Sequence, residues 1–118
     1  MRWQLWGVVL AASLSAAGCG QAKPTEGLID DLSSMDGADR IQAARMLAHR
    51  KQDAEKVVPA LIDSLKDKDA DVRWSAAIGL GYFGAEAESA IPALEEAQND
   101  KDPRVREGAR VAISRIGK

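Results

Sequence analysis

The chain has 118 residues, 46% of them apolar, and its 16 basic and 18 acidic side chains leave a formal net charge of −2. That is enough apolar material to fill the core of one modest domain. A pI near 5.4 opposes a chain built around phosphate binding, and a single cysteine, Cys19, excludes an internal disulfide framework.

The N-terminal segment reads differently from the rest. Arg2 supplies a positive flank, Trp3 to Leu14 is a largely apolar run, and small residues continue to Cys19. The run is too short for a relaxed membrane span and reads as a secretory signal over residues 1–18. Leu14-Ser15-Ala16-Ala17-Gly18-Cys19 resembles the lipobox of bacterial lipoproteins. The resemblance implies that Cys19 is lipidated and becomes the first residue of the mature chain. The protein would then be lipid-anchored to a membrane of the bacterial cell envelope. Ordinary signal cleavage and an uncleaved anchor are the alternatives. Residues 19–25, with Pro24 among them, form a polar tether. The nine residues from Cys19 to Leu28 reach about 30 Å when fully extended, so the folded part is expected to work close to a bilayer surface.

From Glu26 onward the chain repeats every 33 residues without a gap. Pro59-Ala60-Leu61 recurs as Pro92-Ala93-Leu94, Asp67-Lys68-Asp69 as Asp100-Lys101-Asp102, and Val72-Arg73 as Val105-Arg106. One interval earlier, Leu61-Ile62-Asp63 pairs with Leu28-Ile29-Asp30, and Ala76-Ala77 with Ala43-Ala44. The repeat domain, 26–118, divides into units 26–58, 59–91 and 92–118. A period of this size marks units that cannot bury their apolar faces alone and must stack to share a core.

Within each unit the apolar spacing is helical. Leu28, Ile29 and Leu32 begin the first unit, Val58, Leu61, Ile62 and Leu65 the second, and Ile91 with Leu94 the third. The later halves carry Ala43, Ala44 and Leu47, then Val72, Ala76, Ala77 and Leu80, then Val105, Ala109 and Ile113. That predicts two helices per unit, six in all, and no strand. Asp36, Asp69 and Asp102 stand just before the second helices, where a carboxylate can accept from free backbone N–H groups. Pro103 suits the first helical position. Four residues after each Asp comes Arg40, Arg73 or Arg106, and stacking is expected to align these Asp and Arg rows into a structural ladder of ion pairs. Gly84 and Gly117 are expected to stop the second helices, with Lys51 in the equivalent place in the first unit.

Ala90-Ile91-Pro92-Ala93-Leu94, the run from Asp69 through Asp71-Val72-Arg73-Trp74-Ser75-Ala76-Ala77, and Gly79-Leu80-Gly81 together resemble a HEAT repeat of the variety also called PBS-lyase HEAT-like. The resemblance covers roughly 26–118. It implies an all-α fold: a short right-handed α–α superhelix, or solenoid, of three helical hairpins, with the second helices lining the inner face. In the third unit Gln98 replaces Leu32 and Leu65, and Arg110 replaces Ala44 and Ala77. Such residues give a terminal unit its wettable outer side.

Several motifs point to chemistry and do not sustain it. Gly79-Leu80-Gly81-Tyr82-Phe83-Gly84 spells G-x-G-x-x-G, but dinucleotide binding needs that motif to leave a strand and open a helix, and here it ends one. His49 is the only histidine and is followed by Arg50, so the paired His-Glu motifs of HEAT-like metal hydroxylases are missing and no metal set forms. It reads as a solvated helix residue. No histidine base accompanies a candidate nucleophile. The expectation is a protein that is not an enzyme, with no catalytic or metal residue, no cofactor and no small-molecule substrate.

Charge divides by helix layer. The first-helix segments, 26–36, 53–69 and 86–102, hold four basic and fifteen acidic side chains, whereas the second-helix segments, 37–52, 70–85 and 103–118, hold ten basic and three acidic. By the resemblance, a mildly basic inner surface lies opposite an acidic outer one. Trp74, Ile78 and Tyr82 follow at four-residue intervals off the buried stripe, with Ile41, Arg45, His49 and Glu107, Val111, Arg115 at the equivalent positions. Trp74, Tyr82, Arg45 and Arg115 form a candidate partner-binding patch for an acidic protein segment. Packing between units is the other use open to the aromatics. The function expected is a non-catalytic protein–protein interaction module, a membrane-tethered adaptor or assembly factor of the envelope. The alternatives are a nucleic-acid-binding HEAT-like protein, which the signal and pI oppose, and a HEAT-like lyase or hydroxylase relative.

Overall fold

The computed structural model describes residues 22–117. The expected signal segment 1–18 and the lipidation candidate Cys19 lie outside them. Among the described residues there are six α-helices and no strand: α1 Thr25–Asp31, α2 Gly37–Leu47, α3 Ala54–Ser64, α4 Ala70–Phe83, α5 Ile91–Ala97 and α6 Pro103–Ile116. Helices α1 and α2, α3 and α4, and α5 and α6 pack as three hairpins. The second helices touch in succession, α2 on α4 and α4 on α6, the last contact being the most extensive. The fold is therefore an all-α stack of helical hairpins.

The core repeats with the sequence. Leu28, Leu61 and Leu94 occupy the same place in successive hairpins and are fully buried, as are Leu47, Leu80, Val72 and Val105. Small residues let the second helices approach. A Cβ on Gly79 would lie 3.2 Å from the Ala48 Cβ and the Leu61 Cδ1, and one on Gly108 would lie 3.2 Å from the Trp74 Cδ1. Towards the open side of the first hairpin, α2 instead carries Asp39, Gln42 and Met46, where α4 has Val72, Ser75, Gly79 and α6 has Val105, Gly108, Ala112. The close-packing residues occur on the two helices that have a preceding second helix among the described residues.

Two 3₁₀ segments absent from the sequence reading, Lys51–Asp53 and Gly84–Ala90, join consecutive units. Gly84 closes α4 with φ of 58°, a left-handed value that suits glycine. Gly117 ends α6 with an ordinary φ of −74°. Lys51 begins the shorter 3₁₀ turn after Arg50. Helix α1 starts at Thr25, inside the expected tether, and Thr25 is buried. Its hydroxyl donates to Asp53 and accepts from Arg50 Nη1 at 2.9 Å. Arg50 Nη2 also donates to the Lys23 carbonyl, and Lys23 pairs with Asp31 at 2.6 Å. Residues 23–25 are thus bound to the first hairpin.

The ion-pair ladder runs through Asp67 and Asp100, two residues before the expected carboxylates, with one expected pair, Arg40 to Asp69, beside it. Arg40 donates to Asp67 at 3.0 and 3.3 Å and to Asp69 at 2.8 Å, and Arg73 donates to Asp100 at 2.8 and 3.1 Å. Each arginine crosses to the next unit, and the recurring partner stands two residues before the cap. Asp36 and Asp102 serve as caps, accepting from the N–H groups of Ala38 and Arg104. Asp69 holds the cap position but turns its carboxylate to Arg40 and makes no cap bond. The reason lies in the loop: Asp67 and Asp100 also accept the N–H of Asp69 and Asp102, each at 2.9 Å, so one carboxylate fixes its own turn and receives the neighbour's arginine. Each arginine also donates to a carbonyl six residues back in its own unit, at 2.8 Å in all three. Arg106 is left with carbonyl partners and no carboxylate among the described residues.

Candidate partner-binding face

Positions one repeat apart, on the second helices and in the turn that follows α2, form three columns: Ile41, Trp74, Glu107; Arg45, Ile78, Val111; and His49, Tyr82, Arg115. The third column is a contact stack. The His49 and Tyr82 rings lie 5.9 Å apart between centroids at an interplanar angle of 30°, and the Arg115 guanidinium carbon lies 5.7 Å from the Tyr82 centroid. These separations fall where ring stacking and cation–π attraction act. Trp74 and Tyr82 are 39% and 42% exposed. Trp74 therefore does both things the sequence left open: it packs beside Gly108 and still faces solvent.

Between α2 and α4 runs a furrow of about 480 Å³. Arg45 and His49 form one wall, and Trp74, Ile78 and Tyr82 the other. Ala48, Ser75 and Gly79, all buried, lie beneath them. A smaller depression between α4 and α6 continues past Tyr82 to Val111 and Arg115. Of the four expected patch residues, Arg45, Trp74 and Tyr82 share the furrow, while Arg115 joins through Tyr82 and borders the second depression. His49 is exposed, as expected, but it sits in the turn beyond α2 and belongs to the stack. The signal for it was present in the 33-residue spacing from His49 to Tyr82 to Arg115.

The arginines of this face differ from the others. Arg40, Arg73, Arg104 and Arg110 hold ion pairs, Arg50 and Arg106 hold hydrogen bonds, and among the described residues Arg45 and Arg115 have neither. At the far edge Arg110 hydrogen-bonds Glu107 and holds its carboxyl below the ordinary carboxylate value. The run Gly79 to Gly84 lies in α4 and its C-terminal cap. Among the described residues no three His, Cys, Asp or Glu side chains gather where they could hold a metal, and no helix is long and apolar enough to cross a membrane.

Stacked hairpins, paired second helices and a recurring Asp–Arg bridge all agree with the match of the family model for HEAT repeats to residues 25–114. The chain belongs to the HEAT-repeat family. Twenty chains of solved structures match this HEAT-repeat protein. One belongs to the complex of CpcE and CpcF of phycocyanin lyase from Nostoc sp. PCC7120, with a TM-score of 0.74 and 29% identity over 82% of this chain. The match covers 38% of that chain, so the HEAT-repeat protein spans well under half its length. No curated protein matches.

Proposed function

We propose that this HEAT-repeat protein is a non-catalytic protein-interaction module, an adaptor or assembly factor held at a membrane of the bacterial cell envelope by a lipid on Cys19. The observation that carries the reading is the exposed pair Trp74 and Tyr82, framed by the unpaired Arg45 and Arg115 on the basic helix layer. Aromatic side chains and arginine are the types that anchor interfaces, and a face of one charge sign favours partners of the other. The lipobox-like run from Leu14 to Cys19 supports the anchor.

The test is site-specific photo-crosslinking in intact cells from Ile78, at the centre of the face, and from Glu55 on α3. A defined adduct from Ile78 but not Glu55 is expected. Trp74→Ala should weaken it while the far-UV circular dichroism stays unchanged. Equal adducts from both positions, or melting of the W74A chain, would refute the assignment of this face. Mass spectrometry of the membrane fraction tests the anchor separately, and an unmodified Cys19 dismisses it. A second reading, that the chain works as part of a lyase, draws on the likeness to the phycocyanin lyase structure. A change in the visible spectrum of phycocyanin on adding this chain would favour it.

A further inference from the structure

Ser75 is the unusual residue of the α2–α4 furrow. Its repeat equivalents are Gln42 and Gly108, so the hydroxyl belongs to the middle unit alone. The residue is only 5% exposed. A buried helical serine ordinarily returns its hydroxyl to a carbonyl one turn back, as Ser64 does to Ala60 at 3.2 Å. Ser75 makes no such bond, and its hydroxyl has no partner among the described residues. Nor is the oxygen sealed in, since Ser75 lines the furrow and no fully buried polar side-chain atom lacks a partner. A hydroxyl that opens on the furrow without a carbonyl of its own is free to bond something seated there.

The furrow's charge says what that something is. Its only permanently charged side chain is Arg45, which has no ion pair or hydrogen bond among the described residues, and no carboxylate lines the site. We propose that the furrow seats one carboxylate side chain of an acidic partner segment, accepting from the Ser75 hydroxyl and from Arg45, with the Trp74 and Tyr82 rings against the segment's adjoining apolar residue. This rests on the interaction-module reading and adds the chemistry of its central contact. The volume of about 480 Å³ is that of a pocket for a side chain and its neighbour rather than for a single small ion.

The experiment uses the full chain in detergent and two fluorescein-labelled, end-blocked peptides, one repeating Glu-Glu-Phe three times and one repeating Gln-Gln-Phe, titrated by anisotropy. The glutamate peptide should bind about tenfold tighter, since hydrogen bonds to a charged group carry most of the selectivity. Ser75→Ala and Arg45→Gln should each remove most of that preference while leaving the glutamine peptide's affinity unchanged, and Glu55→Gln on α3 should leave both unaltered. Ser75→Ala keeps a helix-forming residue of nearly the same size, and far-UV circular dichroism verifies its fold. Equal binding of the two peptides overturns the seat, as does a Ser75→Ala chain that retains the full preference. Displacement of the peptide by free glutarate at equal concentration overturns the peptide as occupant in favour of a small dicarboxylate. If adducts from Ile78 persist while the preference is absent, the seat fails and the module stands. If the preference is present and no adduct forms from that face, the module reading fails instead.

Discussion

Replacing Arg73 by methionine keeps an apolar stem but removes the guanidinium that bridges the second and third hairpins. In the native protein it donates to Asp100 at 2.8 and 3.1 Å and to the carbonyls of Asp67 and Lys68 at 2.8 and 3.2 Å. The two side chains are 9% and 12% exposed, so solvent cannot replace the lost contacts. The substitution strands a carboxylate whose remaining donor is the Asp102 N–H. Breaking a buried pair from one side costs roughly 3–4 kcal/mol. In a domain of this size that lowers the melting temperature by on the order of 15 °C. Asp100→Asn retains an acceptor for one arginine bond and should cost about 1.5–2 kcal/mol. The double variant should cost little more than Arg73→Met alone, giving a coupling of about 1.5 kcal/mol. Urea denaturation followed by far-UV circular dichroism measures all four chains. An Arg73→Met cost below about 1 kcal/mol, or additive single effects, would refute the ladder as a cross-unit tie.

Two further outcomes follow from the same loops. Burial pushes the Asp100 carboxyl up, but the hydrogen bonds from Arg73 and the Asp102 N–H outweigh it and hold the group below its ordinary value. A depressed folded value means that the stabilisation is present above the unfolded value of about 4 and is lost as the pH falls through the folded one. Asp100→Asn should therefore flatten the acid side of the stability curve, and an unchanged acid side would contradict the pairing. Gly84→Ala meets no atom within 4 Å but must hold φ at 58° with ψ at −135°, so it should cost about 2 kcal/mol through the backbone alone; chemical denaturation showing no loss would mean the α4 terminus relaxes freely.

The fold was legible because stacking imposes the same demand at the same place in each unit. Leu28, Leu61 and Leu94 repeat in sequence because each fills the middle of one hairpin, and the alanines of the second helices repeat because close approach requires small side chains. The ladder's register was not legible from period alone. Asp67 and Asp69 both recur one interval later; across the unit boundary Arg40 reaches both, whereas Arg73 reaches only the earlier member, Asp100. The stack of His49, Tyr82 and Arg115 escaped because self-similarity shows where residues agree, whereas this column is built from three different residue types. Ser75 sat within the motif that marked the repeat, and nothing short of the missing back-bond to a carbonyl separated it from a packing residue. The 3₁₀ joints left no apolar period to read.

The strap around Lys23 has a mechanical consequence. A pull on the N-terminal end cannot be absorbed by slack as far as Leu28, because Arg50 grips the Lys23 carbonyl and the Thr25 hydroxyl, and Asp31 holds the Lys23 ammonium. Tension passes straight into the first hairpin, near where its second helix ends. These polar contacts are the first that a load from that end meets, ahead of the buried leucines of the interior.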